Sequence, residues 1–200
     1  MFLTTSGLYP WDERCDSMTP LTDRLLAGKA AEEKLAPILS ATDSNLSAFR
    51  ARGGKLILYH GWSDAALPPV NTINYYKSVV TKLGQRNART FITLFMVPGM
   101  QHCAGGPGPN SFGATVTSAQ SEPKSDMSLA LERWVEEGIA PSQIIASKRQ
   151  GADPKSPVTR ARPLCPYPQI ARYKGSGSTD EAANFVCGME ESGMGQKTKP

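Results

Sequence analysis

The sequence predicts an α/β fold, because a buried strand, a helix and a second buried strand follow one another along residues 55–97. Residues 55–59 begin with Lys55 and are otherwise apolar. The absence of alternating polar residues is typical of a strand in a parallel sheet covered on both faces. Residues 90–97 are rich in β-branched and aromatic side chains and stop at the turn-forming pair Pro98-Gly99. Residues 68–83 have apolar side chains at helical spacing before Gly84. A helix in this position is the crossover that joins neighbouring parallel strands.

The flanking elements are predicted from the same kinds of pattern. Residues 17–40 carry apolar side chains at spacings of three and four, which favours a helix with one apolar face. Residues 126–137 favour another helix, and residues 144–146 a short strand. Beyond Gly151 the frequent prolines favour nothing longer than short extended segments.

Composition and charge exclude several classes of protein. A chain of 200 residues with 40% hydrophobic and 20% charged residues has enough apolar side chains for one globular core, which excludes wholesale disorder. No apolar run approaches the roughly 18 residues that a membrane span needs. The net charge of +4 comes from scattered basic residues without interleaved aromatics, so neither nucleic acid nor a membrane is an expected partner. Residues 1–16 lack the pattern of a signal peptide.

The candidate chemistry lies in the loops that follow the two strands, residues 60–69 and 98–109. In α/β proteins the loops at the carboxyl ends of the strands carry the functional side chains. The chain has two histidines, and His102 lies within the second, glycine-rich loop, where little packing explains it. Asp64 lies in the first loop, and a general-base histidine needs such a carboxylate to fix its tautomer. The order of acid before histidine, with a helix and a strand between them, is that of α/β-hydrolases.

Other interpretations of these residues stay open. Asp64 can be a turn residue, His102 can hydrogen-bond the backbone, and His60, beside the strand, more simply packs or orients the turn. A zinc site built from His60, His102 and Cys103 lacks a fourth ligand at suitable spacing. No Gly-x-Ser-x-Gly motif supplies a nucleophile, and Ser63 lies in a loop instead of at a strand-to-helix elbow.

Several segments together resemble the carboxyl-terminal part of the tannase and feruloyl esterase family of α/β-hydrolases. The similarity runs from about Pro37 to Cys187. The segments that carry it are Gly53-Gly-Lys-Leu-Ile-Leu-Tyr-His-Gly-Trp-Ser-Asp64, Pro68-Pro69, Val97-Pro-Gly-Met-Gln-His-Cys103, Gly105-Gly-Pro-Gly-Pro109, Leu164-Cys-Pro-Tyr-Pro168, Ala171-Arg-Tyr-Lys-Gly-Ser-Gly177 and Asn184-Phe-Val-Cys187.

The resemblance implies a role for each candidate. Asp64 matches the acid and His102 the base of the family's serine triad. Cys103 matches a cysteine that the family joins to another directly before the serine, but this chain has no Cys-Ser pair. The resemblance also implies a disulfide between Cys165 and Cys187, with two buried thiols as the alternative.

The resemblance further predicts a domain organisation. We expect an irregular segment over residues 1–16, a partial catalytic domain over residues 17–187 and a flexible tail over residues 188–200. The expected fold is the carboxyl-terminal portion of an α/β-hydrolase, with the amino-terminal half and most of the lid missing. The family's calcium site belongs to that lid, so neither a metal nor a cofactor is expected in these residues.

The expected function is hydrolysis of an aromatic-acid ester, of the gallate or hydroxycinnamate type, through a serine acyl-enzyme. The expected partners are a small-molecule ester and the missing amino-terminal half. Because this chain lacks the serine, we expect it to be inactive alone. Disulfides indicate a secreted or periplasmic protein if the full-length form has a leader. The alternative is an inactive hydrolase-fold remnant or a binding module.

Overall fold

The computed structural model describes residues 21–113, 122–151 and 156–190. The chain divides into two compact units, Met1–Asp43 and Ser44–Pro200. The first unit contains helix α1, Leu21–Leu39. The elements of the second unit are α2 (Ser47–Ala51), β1 (Leu56–Gly61), α3 (Pro69–Leu83), α4 (Gln85–Ala88), β2 (Ile92–Val97), α5 (Met127–Glu137), β3 (Ile144–Arg149), β4 (Val158–Leu164), β5 (Ile170–Tyr173), a 3₁₀ turn (Ala182–Asn184) and β6 (Phe185–Gly188).

The predicted crossover unit is confirmed. Strands β1 and β2 pair in parallel from Leu56 opposite Ile92 to Gly61 opposite Val97, and α3 connects them through the short helix α4. Helix α3 has Pro69 at its first turn and ends at Gly84, which adopts a positive φ of 82° as its carboxyl cap. The carboxyl ends of β1 and β2 therefore lie at the same edge of the sheet.

Two expectations about β1 were wrong. His60 was expected in the loop, but the ladder extends far enough to pair it with Met96, so His60 is the penultimate residue of the strand. The strand was also expected to be covered on both faces, but its residues before Gly61 are only half-buried. Within the described residues β1 pairs with β2 alone, whereas the other edge of β2 receives a hydrogen bond from the Tyr167 amide to the Leu94 carbonyl at 2.7 Å.

Strand β2 lies at the centre of the core because its side chains alternate between two apolar clusters. Ile92, Leu94 and Met96 pack with the buried face of α3, formed by Ile73, Tyr76 and Val79. Phe95 and Val97 belong to the opposite cluster, which includes residues of α5, β3 and β4. Burial on both faces explains why the sequence of β2 is almost continuously apolar.

Helix α5 begins where it was predicted to begin. The Asp126 carboxylate accepts hydrogen bonds from the amides of Ser128 and Leu129, which satisfies two of the free N–H groups of the first turn. Met127 and Trp134 are buried as expected. Val135, which was expected to face inward, is exposed, because it lies at the border of the apolar stripe.

The remaining strands pair antiparallel. The predicted strand at residues 144–146 is confirmed as part of β3, which pairs with β4, and β5 pairs with β6. The expectation of only short segments after Gly151 was wrong for β4, which spans seven residues. Pro163 is tolerated there because it lies opposite Ile145, whose amide donates to the Lys124 carbonyl instead of to β4, so the position that lacks a donor faces away from the β3 ladder.

Cys165 and Cys187 form the expected disulfide. Their Cα atoms lie 5.5 Å apart, and the bond joins the residue that follows β4 to strand β6. Cys103 is exposed and is the free cysteine of the described residues.

The predicted terminal segments are described only in part. The helix expected over residues 17–40 is confirmed as Leu21–Leu39, and its expected start at residues 17–20 lies outside the described residues. Residues 1–16 and 191–200 also lie outside them, so the predicted domain boundaries stay predictions. None of the helices in the described ranges is both long enough and apolar enough to cross a bilayer.

Candidate active site

Backbone contacts hold the residues after β1 against the residues after β2. The Trp62 amide donates to the Val97 carbonyl at 3.0 Å, and the Ser63 amide donates to the Met100 carbonyl at 3.0 Å. Gly61 is buried at this junction, and a Cβ atom there would lie 2.2 Å from the carbonyl oxygen of Met100. Only glycine permits so close an approach, so the sequence Gly61-Trp62-Ser63 places Asp64 beside the second loop.

The Asp64 carboxylate is the centre of the site. Its Oδ1 atom accepts hydrogen bonds from the amides of Ala66 at 2.8 Å and Leu67 at 2.9 Å. Its Oδ2 atom lies 2.9 Å from Nδ1 of His102 and 3.1 Å from Nε2 of His60. The side chain is 4% exposed, so these protein groups replace water around both oxygens.

These contacts favour the charged form of Asp64. The hydrogen bond from the Leu67 amide is the largest cause that holds the pKa of this carboxyl well below its usual range. Burial acts in the opposite direction, but the hydrogen bonds from His102 and Ala66 add to the lowering. A carboxylate that accepts two or three donated hydrogens is expected to stay ionised in this way.

His102 has the orientation of a general base. Because Oδ2 of Asp64 accepts, the Nδ1 atom of His102 carries the hydrogen of the neutral ring, which leaves a lone pair on Nε2. Nε2 has no hydrogen-bond partner among the described residues, and the side chain is 38% exposed. The ring can therefore accept a proton from a group outside these residues while Asp64 stabilises the resulting positive charge.

The glycine-rich loop that carries His102 has a defined shape. The Gly108 amide donates to the Gly99 carbonyl at 3.1 Å, and the Lys148 ammonium of β3 donates to the Gly106 carbonyl at 2.6 Å. Gly106 has a φ of +87°, and a Cβ atom there would lie 2.1 Å from the Gly99 carbonyl oxygen. The glycines thus let the loop fold back on itself, and these contacts fix the backbone that carries His102.

His60 contributes to the site more directly than the sequence indicated. Its Nδ1 atom lies 2.7 Å from Oγ1 of Thr72, and its Nε2 atom lies 3.2 Å from the Leu67 carbonyl oxygen as well as 3.1 Å from Asp64 Oδ2. The spacing of four residues between His60 and Asp64 is a signal that could have linked them. Nothing in the sequence pointed to Thr72.

The other sequence candidates lie apart from this arrangement. Ser63 is exposed, and within the described residues its hydroxyl makes no hydrogen bond to His102. Cys103 follows His102 with a φ of +61°, a conformation uncommon for a residue with a side chain. In the described ranges no group of three His, Cys, Asp or Glu side chains is arranged to hold a metal ion, so the alternative of a zinc site at His60, His102 and Cys103 has no geometric support.

Comparisons with known proteins agree on one family. The family model described as tannase and feruloyl esterase matches residues 15–188. The chain is 49% identical over 148 residues to the mono(2-hydroxyethyl) terephthalate hydrolase of Piscinibacter sakaiensis, covering 74% of this chain and 22% of that protein. It is 44% identical over 171 residues to an uncharacterized esterase of Xanthomonas campestris pv. campestris, and this match covers 78% of this chain and 30% of that protein.

Solved structures give the same result. The crystal structure of feruloyl esterase B from Aspergillus oryzae superposes with a TM-score of 0.70 and 34% sequence identity, covering 81% of this chain and 32% of that one. The chain thus spans between about a fifth and a third of the length of the relatives it matches. The fold is of the type found in these hydrolases, and the chain belongs to the tannase and feruloyl esterase family.

Proposed function

We propose that this chain supplies the acid and the general base of a serine carboxylic ester hydrolase. The observation that carries the proposal is the 2.9 Å contact between His102 Nδ1 and Asp64 Oδ2, with Nε2 of the same ring left to accept a proton. A carboxylate, an imidazole and a hydroxyl in this order form the triad of acyl-transferring hydrolases. The names of the relatives, which include esterases and a hydrolase of an ester, support the same reaction.

In the proposed reaction, Nε2 of His102 takes the proton of a serine hydroxyl as its oxygen attacks the ester carbonyl. Asp64, which stays ionised, stabilises the imidazolium and keeps the ring in the productive tautomer. His102 then returns the proton to the departing alcohol, which leaves an acyl-enzyme. In the second half, His102 deprotonates a water molecule that attacks the acyl-enzyme, and then gives that proton to the departing serine oxygen, which releases the acid and restores the serine hydroxyl. None of these steps uses a cofactor held by this chain's residues.

The proposed substrates are esters of aromatic acids, of the gallate or hydroxycinnamate type. Relatives of this chain are named as hydrolases of a terephthalate ester and as probable feruloyl esterases, and both acids are aromatic. The loop after β1 and the first turn of α3, which flank Asp64 in the sequence, expose three large apolar side chains, Trp62, Leu67 and Val70. Such a surface suits a flat apolar acyl group, because the contact removes apolar area from water.

The proposed nucleophile comes from protein outside these 200 residues. The chain contains neither a Gly-x-Ser-x-Gly motif nor a cysteine followed by serine. We propose that Cys103, whose thiol is exposed, pairs with a cysteine beside that serine and so links the two parts of the site. The proposed compartment is secreted or periplasmic, since such disulfides need an oxidising environment.

Disulfide mapping of the natural protein tests the origin of the nucleophile. Non-reducing digestion and mass spectrometry should find Cys103 joined to a peptide that contains Cys-Ser and is absent from this sequence. A free Cys103 thiol would contradict the proposal. In that case the absence of a serine motif would favour the second candidate, an inactive hydrolase-fold remnant or binding module.

Kinetics of the natural protein test the reaction. We expect hydrolysis of methyl ferulate or methyl gallate to exceed that of methyl hexanoate, and His102→Ala to abolish all three. The 200-residue chain alone should show no activity, because the serine and the oxyanion donors are among the largest contributors to the rate. Hydrolysis by the isolated chain that depends on His102 would contradict the proposed division of the site.

A further inference from the structure

We infer that His60 is a positioning residue that holds the Asp64 carboxylate in place by bracing the turn that follows it. The inference rests on the proposed function, since it concerns the geometry of the same acid and base. It assigns a role to a histidine that the acid–base chemistry itself does not use. His60 is the penultimate residue of β1, and its ring lies between the Asp64 turn and helix α3.

The partners of the two ring nitrogens define the tautomer of His60. Nε2 faces two oxygens that only accept, the Leu67 carbonyl at 3.2 Å and Asp64 Oδ2 at 3.1 Å. Nε2 therefore carries the hydrogen, and Nδ1 of the neutral ring accepts from the hydroxyl of Thr72 at 2.7 Å. Both ring nitrogens have protein partners and the side chain is 12% exposed, so neither nitrogen of His60 is free to act on a substrate.

Leu67 links the ring to the carboxylate a second time. Its amide donates to Oδ1 of Asp64 at 2.9 Å, while its carbonyl accepts from His60. The peptide groups on both sides of Leu67 are thus fixed, one by the carboxylate and one by the imidazole. Because the Leu67 amide is the largest cause of the lowered pKa of Asp64, movement of this turn would alter both the position and the charge of the acid.

Thr72 anchors the brace to a rigid element. It lies in the first turn of α3, whose Ile73 and Tyr76 are buried against β2. The chain of contacts therefore runs from the packed helix through Thr72 and His60 to the carboxylate that orients His102. A shift of the carboxylate by about 1 Å is enough to reduce catalysis on the order of 100-fold.

Paired substitutions in the natural enzyme test this role. His60→Leu fills a similar volume without hydrogen bonds, whereas His60→Gln retains an amide N–H to replace Nε2–H. We expect His60→Leu to lower kcat by roughly 10- to 100-fold with KM changed less than about threefold, since the defect lies in the geometry of the acid. His60→Gln should recover most of the loss. Thr72→Val should lower kcat more than Thr72→Ser, which keeps the hydroxyl.

The outcomes separate this inference from the proposed function. If His102→Ala retains activity, the proposed function fails, whatever the His60 variants show. If His102→Ala is inactive but His60→Leu keeps its kcat and its melting temperature, the inference is overturned and the function stands. A kcat for His60→Gln no higher than that of His60→Leu also overturns it. If His60→Leu does not fold, the two Thr72 variants decide, and equal kcat values in them would overturn the inference.

Discussion

The Nδ1 atom of His102 lies 2.9 Å from Oδ2 of Asp64, although 38 positions of sequence separate the two residues. The contact follows from the crossover unit, because the parallel pairing of β1 and β2 brings their carboxyl ends to one edge. Gly61 then lets the backbone after β1 approach Met100 closely enough for the two loops to share hydrogen bonds. The contact between Asp64 and His102 thus follows from the strand register and from one glycine.

We expect Asp64→Asn to lower kcat of the natural enzyme by about 1,000- to 10,000-fold. An asparagine amide facing His102 donates to Nδ1, which forces the hydrogen onto Nε2 and removes the base. The substitution keeps the side-chain shape, so the protein should still fold, but its melting temperature should fall because the ionised carboxylate and the hydrogen bonds it accepts from the two histidines are lost. Steady-state kinetics and thermal unfolding measure the two effects.

The matched control for this prediction is Glu136→Gln. Glu136 is an exposed carboxylate in α5, so the same change of carboxylate to amide there should leave both kcat and melting temperature as they are. Equal kcat values for wild type and Asp64→Asn would remove Asp64 from the site.

The sequence carried enough information to predict that Asp64 and His102 lie together, and the 2.9 Å contact confirms this, whereas their roles as acid and base stay predictions. Asp64 and His102 each follow an apolar strand. Gly84 marks the end of the crossover helix, and Pro98-Gly99 marks the end of the second strand. His60 could not be assigned in the same way. Its role depends on Thr72, and their contact is set by how α3 packs on β2, which local patterns do not encode.

The limits of the fold prediction have a similar origin. Proline content argued against a long strand after Gly151, but β4 forms because β3 supplies a partner along its length, with Pro163 near its end. The apolar sequence of β1 indicated burial on both faces, yet burial depends on the neighbours that cover a strand as well as on its own residues.

The lowered pKa of Asp64 predicts how this residue responds to pH. An aspartate in the unfolded chain titrates near pH 3.9, whereas the folded protein holds this carboxyl ionised to lower pH. The unfolded chain then binds the proton more tightly, so the contribution of Asp64 to stability is present above about pH 4. It is lost as the pH falls from there through the folded-state pKa.

Carbon-13 NMR of the Asp64 carboxyl measures this directly. Near pH 3.9 the folded protein should show no inflection of the Cγ chemical shift, while a urea-unfolded sample should titrate there. A folded-state inflection at the pH of the unfolded sample would contradict the hydrogen-bonded arrangement around Asp64.

We expect Gly61→Ala to destabilise the fold and impair the site together. The added Cβ would lie 2.2 Å from the Met100 carbonyl oxygen and 2.7 Å from that of Gln101, and backbone atoms cannot move aside without displacing the His102 loop. Such overpacking costs roughly 1–3 kcal/mol. The displaced loop should lower kcat by about 100-fold. Urea unfolding and kinetics of the natural enzyme measure both effects.

Gly28→Ala is the matched control for the change of glycine to alanine. Gly28 lies within α1, where an added Cβ meets nothing within 4 Å. Alanine favours helices over glycine by about 0.5–1 kcal/mol, so this variant should be no less stable than wild type and fully active. Equal stability and equal kcat in Gly61→Ala and Gly28→Ala would show that the close approach at Gly61 matters neither for the fold nor for activity.

The Cys165–Cys187 bond predicts a characteristic pattern of variant stabilities. It closes a loop with a sequence separation of 22 and joins the residue after β4 to β6. On the chain-entropy model such a loop contributes roughly 3 kcal/mol, because the crosslink restricts the unfolded chain. Cys165→Ala and Cys187→Ala each break the same bond, so each alone should cost about as much as both together. Urea unfolding of the three variants tests this. Losses that add in the double variant would show two independent thiols, since only residues that share an interaction depart from additivity.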